Sequence, residues 1–304
     1  MLEQSAFTKL DLPEVAGPAA PDGFAEVTST YRPRMGATFW LSVTWLGFIL
    51  FLAVFANVLP LDSPTHIAGR INLMPFSSGH LLGTDYLGRD TLSRIAYGAR
   101  VSLTVGFIAV GVGMAIGGVL GLVSGFYRGR VESVGMFFVD ALLAFPALIL
   151  VIALTVFLGQ SLRNVTIAIA VVSIPAFARV TRAATLTFSE REFVTAARGM
   201  GATNRRIVVR EILPNAIIPV ASFALVVVAV AIVAEGGLAF LGYSVPKPNP
   251  SWGTMISEGK GVLQDGTAPQ DALIPATVMF LTVLAINLVG DRVRRLFDVR
   301  EAAI

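Results

Sequence analysis

The sequence predicts an all-α membrane protein with six transmembrane helices, and three observations predict it. Hydrophobic residues make up 55% of the 304 and charged ones only 14%. An ordinary soluble domain carries roughly 25% charged residues, so a water-soluble core could not absorb this apolar surplus. Six apolar runs with few or no charges are each long enough to cross about 30 Å of hydrocarbon at about 1.5 Å per helical residue. None alternates with the period of two that a half-buried or barrel strand needs, which leaves helices.

In chain order, residues 1–35 are polar, contain Pro and Gly, and set Lys9, Arg32 and Arg34 among five acids. They read as a flexible tail. No apolar core follows the start directly, so this is not the pattern of a cleavable signal peptide. The spanning domain takes up 36–298, with apolar runs at about 39–59, 101–126, 139–159, 164–182, 216–236 and 272–290. The fourth run is the weakest, with Pro175 inside it and Arg179 near its end. Residues 299–304 form a C-terminal tail. Trp40 and Trp45 stand where an interfacial aromatic belt is expected. The absence of cysteine excludes disulfides and thiolate metal sites. His66 and His80 are too few and too scattered to hold a metal.

Lysine and arginine set the expected orientation. With the N-terminus in the cytoplasm, sixteen of the 23 basic residues fall on the cytoplasmic side and seven on the other. Cytoplasmic termini therefore satisfy the positive-inside rule. The first external loop carries Arg70, Arg89, Arg94 and Arg100, but also Asp62, Asp85 and Asp90.

The longest cytoplasmic connection, 190–214, includes TAARGMGATNRRIVVREILPN (195–215), which has four arginines in an otherwise apolar chain. Glu192 to Arg198 is compatible with a short helix. Gly199 and Gly201 allow a sharp turn, and Thr203 can cap a second helix that Pro214 ends. Ala196, Ala197 and Ala202 are small, while Ile207, Val208 and Ile212 form an apolar stripe flanked by Arg205, Arg206 and Arg210. Such a surface suits either a groove on another protein or an anionic lipid surface.

These residues resemble the EAA loop of ATP-binding-cassette importer permeases, whose pattern is Glu-Ala-Ala, three residues, Gly and a downstream Leu-Pro. Ala196, Ala197, Gly201, Leu213 and Pro214 match it. Thr195 stands where the pattern has glutamate, with Glu192 one turn earlier on the same helix. Four other stretches resemble the second permease subunit of dipeptide, oligopeptide and nickel importers: HLLGTDYLGRDTLSRIAYGARVSL (80–103), VDALLAFPALIL (139–150), EGGLAFLGYSVPKPNPSWGTMI (235–256) and FLTVLAINLVGD (280–291). The resemblance covers about 39–298. It implies a type I importer permease fold with a cytoplasmic coupling helix, and a function in ATP-driven import of peptides, nickel or other small ligands. It also implies a second permease subunit, two ATPase subunits that bind the ATP and Mg, and an extracytoplasmic substrate-binding protein. In that family the loop seats in a cleft of the ATPase.

Outside the loop, Gly113, Gly117, Gly121 and Gly125 recur every four residues on one face of the second run, the spacing that lets helix backbones approach closely. They serve intrachain packing or an interface near the transport path. Asp140 and Glu235 flank apolar runs and, with Asn287, are candidates for gating or for anchoring at a membrane interface. GTMISEGKG (253–261) superficially matches a phosphate-binding loop, but its second glycine comes one residue late and no Ser or Thr follows Lys260. No nucleotide or metal site, no catalysis and no nucleic-acid partner is therefore expected of this chain. An ATPase-independent carrier or channel is the competing class. It would show repeated halves or charged, broken helices near the midplane, and would leave the arginine-rich loop unexplained.

Overall fold

A computed structural model describes residues 36–67, 69–77 and 79–301, with side chains described as far as Arg295. The expected tail 1–35 and the last residues, 302–304, lie outside the described residues. Among the described residues, five helices are long and apolar enough to cross a membrane: α1 (Ala37–Phe55), α2 (Thr91–Tyr127), α5 (Leu162–Ser189), α8 (Leu213–Phe240) and α10 (Gln270–Glu301). A sixth crossing is made if α3 (Gly129–Leu143) and α4 (Ala147–Leu158), which meet at an 86° bend, count as one. Three short helices complete the described residues: α6 (Glu192–Gly199), α7 (Asn204–Arg206) and α9 (Trp252–Gln264). No strand occurs among the described residues, only isolated β-bridges within 67–90.

The third span departs from the continuous helix expected over 139–159. Helix starts already at Gly129 and breaks at Phe145 and Pro146. Proline disfavours helical backbone in the residue before it and has no N–H to donate, so α3 stops and α4 restarts in a new direction. By itself α4 is about 18 Å long, too short to cross. Other helices outrun their apolar stretches because charge ends an apolar run without ending a helix. Thus α2 begins ten residues before 101, where the Asp90 carboxylate accepts the Ser93 N–H at 2.8 Å. The sixth helix likewise continues past 290, so that 299–301 extend α10 and do not form a separate tail.

Parallel packing of α2 on α5 organises the bundle, and the four glycines make it possible. A β-carbon on Gly113 would lie 1.9 Å from Ser173 Oγ, and on Gly117 2.4 Å from the Ile174 carbonyl oxygen. On Gly121 it would lie 2.3 Å from the Ala178 carbonyl oxygen, and on Gly125 2.9 Å from Thr185 Cβ. The stripe is therefore an intrachain contact. Around it Ile49, Val105, Phe177, Ile232, Leu238 and Trp252 form the core. Connectivity places α6, α7 and the α2–α3 turn at one end of the bundle, the α6 end. The 56–90 segment and α9 lie at the other, the α9 end.

Candidate functional site

At the α6 end, residues 190–214 fold into a short helix, a glycine turn and a second helix that runs directly into α8. The turn after α6 is a Schellman cap: Gly201 N–H donates to Arg198 O at 2.9 Å and Ala202 N–H to Ala197 O at 3.0 Å, with Gly201 at φ +80. Of the two glycines, only Gly201 has positive φ; Gly199 is the last residue of α6. Thr203 caps the next helix, its Oγ1 accepting Arg206 N–H at 3.4 Å.

Pro214 does not end that second helix; Asn204 to Phe240 is one continuous span. A π-helical turn, Ile207–Ile212, precedes the proline, and Leu213 N–H reaches back five residues to Val208 O. Widening the helix here accommodates a proline that has no N–H and whose ring crowds the preceding turn.

The apolar stripe of the segment also faces inward. Val194, Ala197, Ile207 and Ile212 are buried with Leu122 and Ala216 in a small cluster of their own, against which Phe126, Phe188 and Ala202 pack. Ala197, Ile207 and Ile212 are therefore unavailable to a partner. What α6 presents outward is Phe193, Ala196 and Met200, of which Met200 is 83% exposed. Thr195 and Glu192 are exposed beside them, as are Arg205, Arg206 and Pro214 farther along. The seat is tied to the α2–α3 turn at its edges: the Arg198 guanidinium lies 5.9 Å from the Phe126 ring centroid, and Arg128 pairs with Glu190 at 2.7 Å.

The α9 end holds a second polar construction, scattered over three separate parts of the sequence. Glu258 on α9 accepts from Arg89 at 2.9 Å and from Arg94 at 2.8 Å, and Arg89 also pairs with Asp85 at 2.7 Å. Arg94 completes the ring by pairing with Asp85. All four side chains are buried, while exposed Lys247 reaches Glu258 at 3.4 Å. Burial pushes the Glu258 carboxyl up, but Arg94, Arg89 and Lys247 more than offset it and hold it below the usual carboxylate range. Trp252, fully buried, donates its indole N–H to Ile95 O at 3.2 Å.

A family profile described as the inner membrane component of binding-protein-dependent transport systems matches residues 117–302, from the second half of α2 through α10. The chain belongs to that family. This permease is 40% identical over 256 residues to a glutathione transport system permease protein, GsiD, of Pectobacterium atrosepticum, covering 83% of this chain and 84% of the relative. It is 39% identical to the dipeptide transport system permease protein DppC of Alkalihalophilus pseudofirmus, covering 83% and 82%. It is 35% identical over 301 residues to a putative peptide transport system permease protein of Brucella suis, covering 99% and 98%. Its fold resembles an inward-facing MetNI methionine ABC transporter, with TM-score 0.56 and 21% identity over 67% of this chain and 95% of that one. The permease therefore has the type I importer fold.

The remaining sequence candidates separate. Asp140 is exposed on α3 and pairs with Arg179 on α5 at 2.8 Å. Glu235 faces neither lipid nor water: it is fully buried, and its carboxylate accepts from Ser102 at 3.1 Å and from Ser244. Ser102 in turn accepts the Trp252 backbone N–H at 3.3 Å, so Glu235 ties α2, α8 and the start of α9 together. Asn287 donates to Val283 O in its own helix at 2.9 Å. Stretch 253–261 lies within helix α9, begun by the Ser251–Thr254 capping box. Its Gly253 and Gly259 lie against the backbone of Gly236 and Ala272. The Asp85–Arg89–Arg94–Glu258 ring was missed. Its only sequence signal was the excess of charge in an external loop.

Proposed function

We propose that this permease subunit imports peptides by lining a transport path with a second permease subunit, and that α6 transmits the movement of an ATPase subunit to the bundle. The observation that carries the coupling role is the division of α6 into two faces. Val194 and Ala197 anchor it to its own chain, while Phe193, Ala196 and Met200 face outward as an apolar strip with small Ala196 at its centre. A small residue between two large ones lets a helix sit close in a groove. The basic residues around the segment favour the cytoplasm for the α6 end, which leaves the α9 end for an extracytoplasmic binding protein. Glutathione, dipeptides and peptides are the substrates in the names of the relatives, and peptides are the class common to all three. ATP and Mg would be bound by the ATPase subunits, and nucleotide labelling of the isolated permease should be absent.

The test is to replace Ala196 and Met200 by glutamate, singly and together, in the complete transporter. Both side chains are exposed, so membrane insertion and pairing with the second permease should be kept while co-purification of the ATPase subunits and transport fall. Full ATPase binding and transport in the double variant would overturn the assignment. Reporter fusions near residues 130 and 205 should read cytoplasmic, and those near 75, 162 and 260 external.

A further inference from the structure

The outer surface of the α2–α5 pair is not uniform. Toward the α9 end the two helices leave a groove of about 570 Å³ between them, lined almost entirely by apolar side chains from Thr104 to Ile116 on α2 and Leu162 to Ile174 on α5. Ile108, Val112, Ile116 and Ile167 in it are between 39% and 51% exposed. At its mouth, in the first turn of α5, stands Arg163, exposed and without an ion-pair partner among the described residues. Deeper along the pair the groove ends where Gly117 and Gly121 bring the backbones together.

From this we infer that the groove binds one phospholipid of the leaflet on the α9 side, with an acyl chain along Ile108, Val112 and Ile167 and its phosphate on the Arg163 guanidinium. Two features select this occupant. Arg163 to Ile174 spans about 16 Å of helix, close to the roughly 15 Å of hydrocarbon in one leaflet. A transmembrane helix of another subunit would need a channel through both leaflets. The single charge also sits at one end, at headgroup depth, and is a guanidinium, whose forked donors match phosphate oxygens in a bidentate pair. Basic groups between membrane helices recognise lipid headgroups in this way.

The test places the photoreactive residue benzoylphenylalanine at Val112 in the complete transporter in its native membrane, with Val54 on the outer face of α1 as a reference position, 59% exposed. Mass spectrometry after illumination should show a phospholipid adduct at Val112 in clear excess over Val54. Arg163→Gln should lower the Val112 adduct roughly three-fold, the scale of one partly exposed ion pair. Crosslinking of Val112 to another protein subunit, or a lipid adduct no greater than at Val54 and unchanged by Arg163→Gln, would overturn the inference. The adduct is read without transport, so its outcome is separate from that of the coupling assignment.

Discussion

At the α9 end, four charged side chains are buried against one another and hold a short helix to the bundle. At the α6 end the charges stay at the surface, and an apolar seat of Val194, Ala197, Ile207 and Ile212 does the holding. Removing one member of a buried ion network costs about 3–5 kcal/mol, because the others are left desolvated and unpaired. An exposed pair contributes about 0–1 kcal/mol. The α9 end is therefore strongly cooperative: Glu258 cannot leave Arg89 and Arg94 without leaving two guanidinium groups buried. The α6 end is held by apolar burial, and its exposed Arg128–Glu190 pair can be exchanged for hydration at little cost.

The largest test of this contrast is Glu258→Gln, which should lower stability by about 3–5 kcal/mol and be read as a drop in the thermal midpoint of the solubilised protein. Equal stability of the variant would show that the ring is only a surface network. The same carboxyl carries a pH dependence. Its pKa is lower when folded than when unfolded, so its stabilisation is fully present above the unfolded value and is lost as pH falls through the folded one. Acid should therefore release α9 in the wild type, whereas Glu258→Gln should lack that part of the acid transition, as proteolysis of 252–264 across pH would show.

Next in size is the pair Ala197→Glu and Ala196→Glu on α6. The first puts a carboxyl into the buried seat, at a cost of about 1–3 kcal/mol, and should expose 190–204 to protease in the isolated permease. The second should leave that protection unchanged. Similar protease sensitivity in both would dissolve the two-faced reading of α6. A third test sits between the two ends. Gly117→Val forces a branched side chain to within 2.4 Å of the Ile174 carbonyl oxygen and should cost about 1–3 kcal/mol. Gly118→Ala, whose β-carbon meets nothing nearer than 3.9 Å, should be neutral or slightly stabilising. The smallest effect is expected from Arg128→Ala, within about 1 kcal/mol and diminishing with added salt, since the Arg128–Glu190 pair is exposed.

The sequence by itself determined the all-helical membrane class, the approximate position of the five long apolar helices and the glycine stripe. Each of these depends on local composition and periodicity, which apolar length and four-residue spacing report directly. It also located the 190–214 segment, its Gly201 turn and the Thr203 cap, because capping and positive φ are chemistry of neighbouring residues. Only the tertiary structure decided which side of that segment is free. Ala196 and Ala197 are equivalent as letters, and what buries one of them is Leu122, seventy-five positions away on another helix. Distance along the chain likewise hid the role of Glu235 beside Ser102 and the ring that joins Asp85 to Glu258. A buried charge is tolerated only where its partners converge, and convergence is a property of the fold. The bend at Pro146 and the π-helical turn before Pro214 show the same limit from the other direction. Proline announces that the helical ladder must lose a bond, but whether the chain then breaks, as at Pro146, or widens and continues, as at Pro214, depends on what packs around it.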